Sequence, residues 1–250
     1  MDEIDFRLRT YMPCTKQTCG DKLLPGMRIT SQVGRLVSQD RTLASIGCFV
    51  RHVTTGDVYA LSIGHVFKDG DLAYDGERVI GQCVEIVNSE RPISMDLAII
   101  RLNAGSDINN TIPASTGERC SLRFPHNKQE VLNKLMYKCQ RKSDGNYRYC
   151  YFRYDNYTNK ELGIHRARAC VKTANGQSVL ERGDCGSLLT TLPQSCGHVI
   201  VLGMLSAVVS QEAEDGGETL EYSVAYQLQH ALEQSKTFRG QMYEFCDRRQ

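Results

Sequence analysis

Gly183-Asp184-Cys185-Gly186-Ser187 places a thiol between two glycines, directly after a carboxylate. A cysteine attacks a carbonyl carbon as the thiolate, so it needs a base nearby and backbone N–H groups that face the developing oxyanion. Glycine permits the backbone conformations that turn N–H groups in that direction. A segment rich in β-branched residues, 198–209, follows the stretch. These features predict a nucleophile on a tight turn between two strands.

Two upstream stretches supply the partners that such a thiol needs. His65 follows the apolar segment 58–61, which has the composition of a strand. Asp96 lies at the head of a second strand-like segment, 95–100, which is otherwise apolar. An imidazole can accept the thiol proton, and a carboxylate can orient the imidazole ring. The sequence therefore contains a candidate base, orienting group and nucleophile in the order His65, Asp96, Cys185.

These three motifs, in this order, resemble those of the chymotrypsin-like peptidases, whose viral 3C-like and 2A-like members use cysteine as the nucleophile. The resemblance extends over about residues 34–230. It implies an all-β fold of two antiparallel six-stranded β-barrels with a C-terminal helix. It also implies an endopeptidase that acts on protein or peptide substrates through a Cys-His-Asp triad and a thioester acyl-enzyme, without a cofactor.

Turn-forming residues divide the chain into five parts. Residues 1–33 are poorly periodic and are interpreted as an N-terminal lead-in. Short strand-like segments separated by turns predict the first β-barrel over 34–102. Residues 103–118 are rich in Gly, Ser, Asn, Thr and Pro, which is typical of an inter-barrel linker. Residues 119–235 are assigned to the second β-barrel and the C-terminal helix, and 236–250 to a tail.

The resemblance assigns further roles by offset from the nucleophile. The N–H groups of Gly183 and Cys185 would form the oxyanion hole. A substrate pocket would be lined by apolar or small residues, which favour apolar or small side chains at the cleavage site. The predicted pocket residues are Val179, Met204, Leu205, Ser206 and Ala207.

The composition is that of an ordinary globular protein. Apolar residues make up 41% of the 250 residues, charged residues make up 24%, and the formal net charge is +1. Such a charge creates no global field that would attract nucleic acid or an anionic membrane. The alternating tyrosines and arginines of 146–157 are therefore interpreted as a two-sided strand rather than a nucleic-acid surface. We expect no nucleic-acid partner and no membrane-spanning segment.

The 11 cysteines are odd in number and irregularly spaced, whereas a secreted disulfide framework favours an even set. We therefore expect mostly reduced thiols and a cytoplasmic location. No metal site is predicted, because Cys14 and Cys19 lack a second pair of ligands nearby. The Cys196/His198 pair resembles half of the zinc site of the viral 2A-like enzymes, but the Cys-x-Cys that forms the other half there is absent from this sequence. The viral resemblance leaves open a place in a larger multidomain or polyprotein chain.

Two other interpretations of the motifs stay open at the level of sequence. Cys185 could replace the serine of a serine-type peptidase without changing the rest of the site. The chain could also be a catalytically weak protease-like domain, either a binding module or a redox sensor in which a second cysteine resolves oxidised Cys185.

Overall fold

A computed structural model describes residues 22–31, 43–89, 95–113, 118–126, 130, 136–141, 147–159, 164–170, 183–191, 197–211, 220–226 and 228–246. Within these residues the chain forms two curled barrels, built mainly of antiparallel strands, and a short helix near the C-terminus. In the described part of the chain, no helix has the length and apolar character needed to cross a membrane.

The first barrel is a ring of six antiparallel strands, one of which is bent and carries two labels, β2 and β3. Its elements are β1 (Arg28–Thr30), β2 (Leu43–Ser45), β3 (Cys48–His52), β4 (Val58–Ile63), β5 (Leu72–Asp75), β6 (Arg78–Ser89) and β7 (Met95–Leu102). The strand order is β3-β4-β7-β6-β5-β1-β2. The ring closes because β2 continues into β3 across Gly47, whose N–H donates to the Leu61 carbonyl at 2.8 Å. β2 and β3 thus act as one bent strand.

The second barrel is also a ring of six antiparallel strands. Its elements are β10 (Met136–Arg141), β11 (Tyr147–Asn159), β12 (Ile164–Cys170), β13 (Leu188–Thr191), β14 (His198–Gln211) and β15 (Leu220–Tyr226). The ring runs β13-β10-β11-β12-β15-β14 and closes where β14 pairs with β13. Two further strands, β8 (Thr111–Pro113) and β9 (Arg119–Arg123), extend this sheet, and β9 lies parallel to the first residues of β14.

The C-terminal segment returns to the first barrel. Helix α1 (Leu228–Gln234) follows β15, and β16 (Tyr243–Phe245) pairs antiparallel with β3. Between them, the Glu85 carboxylate accepts hydrogen bonds from the N–H groups of Lys236 and Thr237 at 2.6 and 2.8 Å. The chain after the helix is therefore held to the first barrel by side-chain as well as strand contacts.

The predicted fold class, an all-β double barrel with a C-terminal helix, is confirmed. Three short strands fall outside the residue ranges that the sequence assigns to the two barrels. They are β1 in the lead-in 1–33, β8 in the linker 103–118 and β16 in the tail 236–250. Each has three residues, too few to show an alternating pattern, and each is defined by the strand with which it pairs. The strand predicted at 34–38 lies outside the described residues.

Candidate active site

His65 lies just beyond the end of β4. A single 3₁₀ turn, Gly64–Val66, follows the strand, and the Phe67 N–H closes it by donating to the Gly64 carbonyl at 2.9 Å. Gly64 and Val66 are buried, whereas 46% of the His65 side chain is exposed. The turn therefore directs the imidazole out of the core of the first barrel.

Asp96 lies beside this turn because β7 pairs with β4. Leu97 is the register partner of Ile63, which places Asp96 next to the end of β4. The His65 Nδ1 and the Asp96 Oδ2 form a hydrogen bond of 2.5 Å. A Cβ atom at Gly64 would lie 2.6 Å from the Asp96 Oδ1, so only glycine lets the carboxylate approach the turn this closely.

Cys185 lies on a tight turn that leads into β13. The Asp184 carbonyl accepts a hydrogen bond from the Ser187 N–H at 2.9 Å, which makes Cys185 and Gly186 the two central residues of a β-turn. Gly186 has a φ of +94°, the left-handed value that a type II turn requires at its third position. Cys185 occupies the second position, where its side chain is half-buried. The predicted glycine turn is therefore present at the nucleophile.

The Cys185 thiol lies near the His65 ring across the two barrels, close enough to affect its pKa. The pKa of His65 is raised from 6.5 to about 10, first by the hydrogen bond with Asp96 and second by the interaction with Cys185, against the opposing effect of burial. The ring is therefore an imidazolium at neutral pH. The structure brings the three predicted catalytic residues together as Asp96, His65 and Cys185.

The backbone around the nucleophile presents two N–H groups. Gly183, two residues before Cys185, has a φ of +90°. Among the residues that the structure describes, nothing accepts a hydrogen bond from the N–H of Gly183 or of Cys185. Two neighbouring N–H groups without an acceptor are what an oxyanion hole needs, and the assignment of that role stays a prediction.

The predicted pocket residues on β14 differ in their surroundings. Met204 and Leu205 are 0% and 1% exposed. The backbone of Leu205 is hydrogen-bonded to the nucleophile turn through Gly186 and Ser187. Both side chains are core residues in this structure, which leaves Ser206, half-buried in a bulge of β14, as the partly accessible member of the set. The Ala207 side chain and Val179 lie outside what the structure describes.

Tyr226 contacts residues of the site, and no sequence pattern identifies it. This last residue of β15 is buried, and its hydroxyl lies 3.2 Å from the Asp96 carbonyl oxygen and 3.0 Å from the Met204 sulfur. Burial raises the pKa of Tyr226 well above its usual value, and the Asp96 charge raises it further, so the hydroxyl keeps its proton. Tyr226 thus connects the second barrel to the strand that carries Asp96.

Other groups that the sequence singles out lie apart from this site. Within the described ranges, no group of three or more His, Cys, Asp or Glu side chains could hold a metal ion. Cys14, Cys19 and Cys196 fall outside those ranges, and His198 is exposed at the start of β14. The cysteines recorded as free thiols are Cys48, Cys83, Cys120, Cys185 and Cys246.

Replacing Gly186 by alanine should destabilise the protein strongly. The new Cβ would lie 2.3 Å from the Ser45 carbonyl oxygen, and φ is +94°, so the change combines a backbone clash with a strained conformation. We expect a loss of about 3 kcal/mol or more in the free energy of unfolding, measured by urea denaturation. Gly197→Ala is the matched control, because Gly197 has a φ of +80° and no described atom within 4 Å of its Cβ position. The control should lose only about 1–2 kcal/mol, and equal losses would contradict the close packing of Ser45 on the turn.

Comparison with solved structures identifies the fold. A Nocardiopsis protease has 13% sequence identity, covers 90% of this chain and 98% of its own, and superposes with a TM-score of 0.53. Protease A of Thermobifida fusca has 13% identity, covers 90% of this chain and 100% of its own, and gives a TM-score of 0.52. No protein-family model and no curated protein matches the sequence. The double barrel of this chain is the chymotrypsin-like fold.

Proposed function

We propose that this protein is a cysteine endopeptidase that cleaves protein substrates through the triad of Cys185, His65 and Asp96. The observation that carries the proposal is that one imidazole is hydrogen-bonded to a carboxylate and lies beside a thiol. A nucleophile, its base and the group that orients the base are the three parts that acyl transfer requires. The chemistry would place the chain with the cysteine-type members of the fold, which include the viral 3C-like and 2A-like enzymes.

In the first half of the reaction, Cys185 and His65 act as a thiolate–imidazolium pair, in which His65 already holds the Cys185 proton, and the sulfur attacks the carbonyl carbon of the scissile peptide bond. The N–H groups of Gly183 and Cys185 stabilise the negative charge that develops on the carbonyl oxygen. The C–N bond then breaks, and the leaving amine takes the proton from His65. The products of this half are a free amine and a thioester at Cys185.

In the second half, His65 accepts a proton from a water molecule that attacks the thioester carbonyl. Collapse of the tetrahedral intermediate breaks the C–S bond, releases the carboxylic acid and restores the thiolate–imidazolium pair. Asp96 keeps the imidazole in one orientation throughout, because Nδ1 is engaged by the carboxylate and only the other ring nitrogen exchanges protons.

We infer that a substrate binds in extended conformation along the edge of β14. β13 pairs with β14 as far as Met204, and the Leu205 backbone is bonded to the nucleophile turn. From Ser206 onward, the described strands pair with β14 on its β15 side alone. An extended peptide could add to the other edge by main-chain hydrogen bonds, which would lead its carbonyl to Cys185. Substrate chemistry beyond this, including a preference for apolar or small side chains, is part of the proposal.

The direct test of the function is cleavage of a diverse synthetic peptide mixture by the purified protein, analysed by mass spectrometry of the products. We expect new peptide termini that share a preferred residue before the cleaved bond, because one pocket selects that residue. Intact peptides after prolonged incubation with fully reduced protein would overturn the proposed function.

Asp96→Asn should weaken catalysis and shift its pH dependence. The Asp96 carboxylate is the largest cause of the raised His65 pKa, because it stabilises the protonated ring. Its removal lowers that pKa, so the imidazolium loses its proton at lower pH. The fall in kcat/KM expected near pH 10 in the parent should move to lower pH in the variant. At neutral pH we expect a loss of about 10- to 100-fold, less than when a serine triad loses its carboxylate.

The measurement for Asp96→Asn is kcat/KM as a function of pH in both proteins. Glu85→Gln is a suitable comparison, because this carboxylate is hydrogen-bonded to the chain after α1 and not to the site. An alkaline limb that stays where it is in Asp96→Asn would show that Asp96 does not control the protonation of His65.

A further inference from the structure

Ser45, the last residue of β2, joins the first barrel to the nucleophile turn. Its N–H donates to the Cys185 carbonyl at 2.8 Å, and its hydroxyl donates to the Gly183 carbonyl at 2.6 Å. Its own carbonyl accepts a hydrogen bond from the Ser62 hydroxyl at 2.8 Å. Ser45 and Ser62 are both fully buried. A rigid network from β4 and β2 therefore ends on the two backbone carbonyls that flank Asp184.

The two N–H groups assigned to the oxyanion hole are oriented by different contacts. The Cys185 N–H belongs to the peptide group of the Asp184 carbonyl, and that carbonyl is held within the turn by the Ser187 N–H. The turn itself therefore fixes the Cys185 N–H. The Gly183 N–H belongs to the peptide group that joins residues 182 and 183, two peptide groups before that of the Cys185 N–H, and it has no such contact within the turn.

Gly183 is the residue at which this part of the backbone could rotate. It has no side chain to restrict its dihedral angles, and its φ of +90° is one that other residues rarely adopt. A Cβ atom at Gly183 would lie 2.8 Å from the Cδ2 methyl carbon of Leu43, so the Leu43 side chain packs closely against Gly183. The Ser45 hydroxyl holds the carbonyl on the other side of the same residue. With its carbonyl held and its Cα packed, Gly183 is restrained at two points, which limits how far its N–H can turn.

We propose that Ser45 is a positioning residue of the oxyanion hole: its hydroxyl, by holding the Gly183 carbonyl, aims the Gly183 N–H at the substrate oxyanion. This inference rests on the proposed peptidase function and specifies a residue that the triad does not include. An oxyanion hole is effective because its donors are oriented before the reaction begins, and the loss of one donor costs about 10²- to 10³-fold in kcat. A misdirected donor should cost a part of that.

Ser45→Ala removes the hydroxyl and keeps the N–H bond to the Cys185 carbonyl. Three quantities are measured in this variant and in the parent protein. They are kcat for a peptide substrate, the affinity for a peptidyl aldehyde, and the rate of Cys185 alkylation by iodoacetamide. The aldehyde carbon bonds to the sulfur and its oxygen becomes an oxyanion-like group in the hole. Alkylation forms a C–S bond as iodide leaves, and it develops no oxyanion. The first two quantities therefore report the hole, and the third reports the thiol alone.

For Ser45→Ala we expect kcat to fall by about 10- to 100-fold, with a change in KM of about threefold or less. The aldehyde affinity should fall by a similar factor, whereas the alkylation rate should stay within about twofold. The control variant is Ser235→Ala. Ser235 is equally buried and its hydroxyl donates to the Leu232 carbonyl at 2.7 Å, after α1. The control should lose stability by a similar amount and keep all three quantities.

Two results would overturn the role of Ser45. The first is an unchanged kcat and aldehyde affinity, and the second is an equal fall in all three quantities, which would show general damage to the turn. If Ser45→Ala does not fold, Ser45→Cys keeps the side-chain volume with a weaker donor and should give intermediate losses, with alkylation assigned to Cys185 by peptide mapping.

A parent that binds the aldehyde but cleaves no peptide would refute the peptidase function while leaving the Ser45 effect measurable. A parent that does neither refutes both.

Discussion

Cys185→Ala is expected to reduce kcat for peptide cleavage by about 10⁴-fold or more. Without the sulfur no thioester forms, and the remaining oxyanion donors have no attacking atom to act with. The fold should be kept, because Cys185 is half-buried at the second position of a turn and alanine removes only the sulfur atom. The measurements are kcat on a fluorogenic peptide and the midpoint of thermal unfolding for the same preparation.

The control for this variant is Cys83→Ala. Cys83 is a buried thiol of the first barrel whose pKa is raised to about 12, mainly by burial, so it carries no thiolate at neutral pH. Its replacement should lower stability and leave kcat unchanged. Activity of Cys185→Ala within about tenfold of the parent would show that another residue is the nucleophile.

His65→Ala is the second variant with a large expected effect, a loss of about 10³-fold or more in kcat. His65 is hydrogen-bonded to Asp96 and lies next to the Cys185 thiol, so its removal separates the thiol from its base and from the carboxylate. The loss should appear equally in covalent labelling of Cys185 by a peptidyl electrophile. His230→Ala is the control, because His230 lies on α1 beside Glu233 and has no contact with the triad.

Labelling also separates the peptidase from the two other classes left open by the sequence. In a peptidase, the electrophile modifies Cys185 only while His65 is intact. A redox sensor would react with peroxide whether or not His65 is present, and a binding module would react with neither reagent. Labelling by the peptidyl electrophile that is unaffected in His65→Ala would exclude His65 as the catalytic base.

The three residues that the structure brings together could be singled out from the sequence because each lies in a short local pattern. His65 follows one strand, Asp96 begins another, and Cys185 lies in a glycine turn, and β4 and β7 lie close to where the apolar composition predicts strands. Their approach to one another is a property of the fold, so the sequence could supply it only through the resemblance in motif order. The type II turn was predictable for the same local reason, since glycine is needed at its third position.

The contacts between barrels could not be predicted, because they join residues far apart in the chain. Ser45 and Gly183 are 138 positions apart, and Tyr226 and Asp96 are 130 positions apart. A serine at the end of a strand or a tyrosine within one is compatible with many partners. The three-residue strand β1 is similar, because its pairing with β2 and β5 comes from tertiary structure and not from its own alternation.

The identity of the attacking atom is tested most directly by kcat and kcat/KM of Cys185→Ser relative to the parent. A site suited to sulfur depends on a nucleophile that gives up its proton far more readily than a hydroxyl does. The account therefore predicts that the serine variant is nearly inactive, about 10²-fold or more below the parent. A serine variant that equals or exceeds the parent would contradict it, and would show a serine-type site in which Cys185 replaces the native nucleophile.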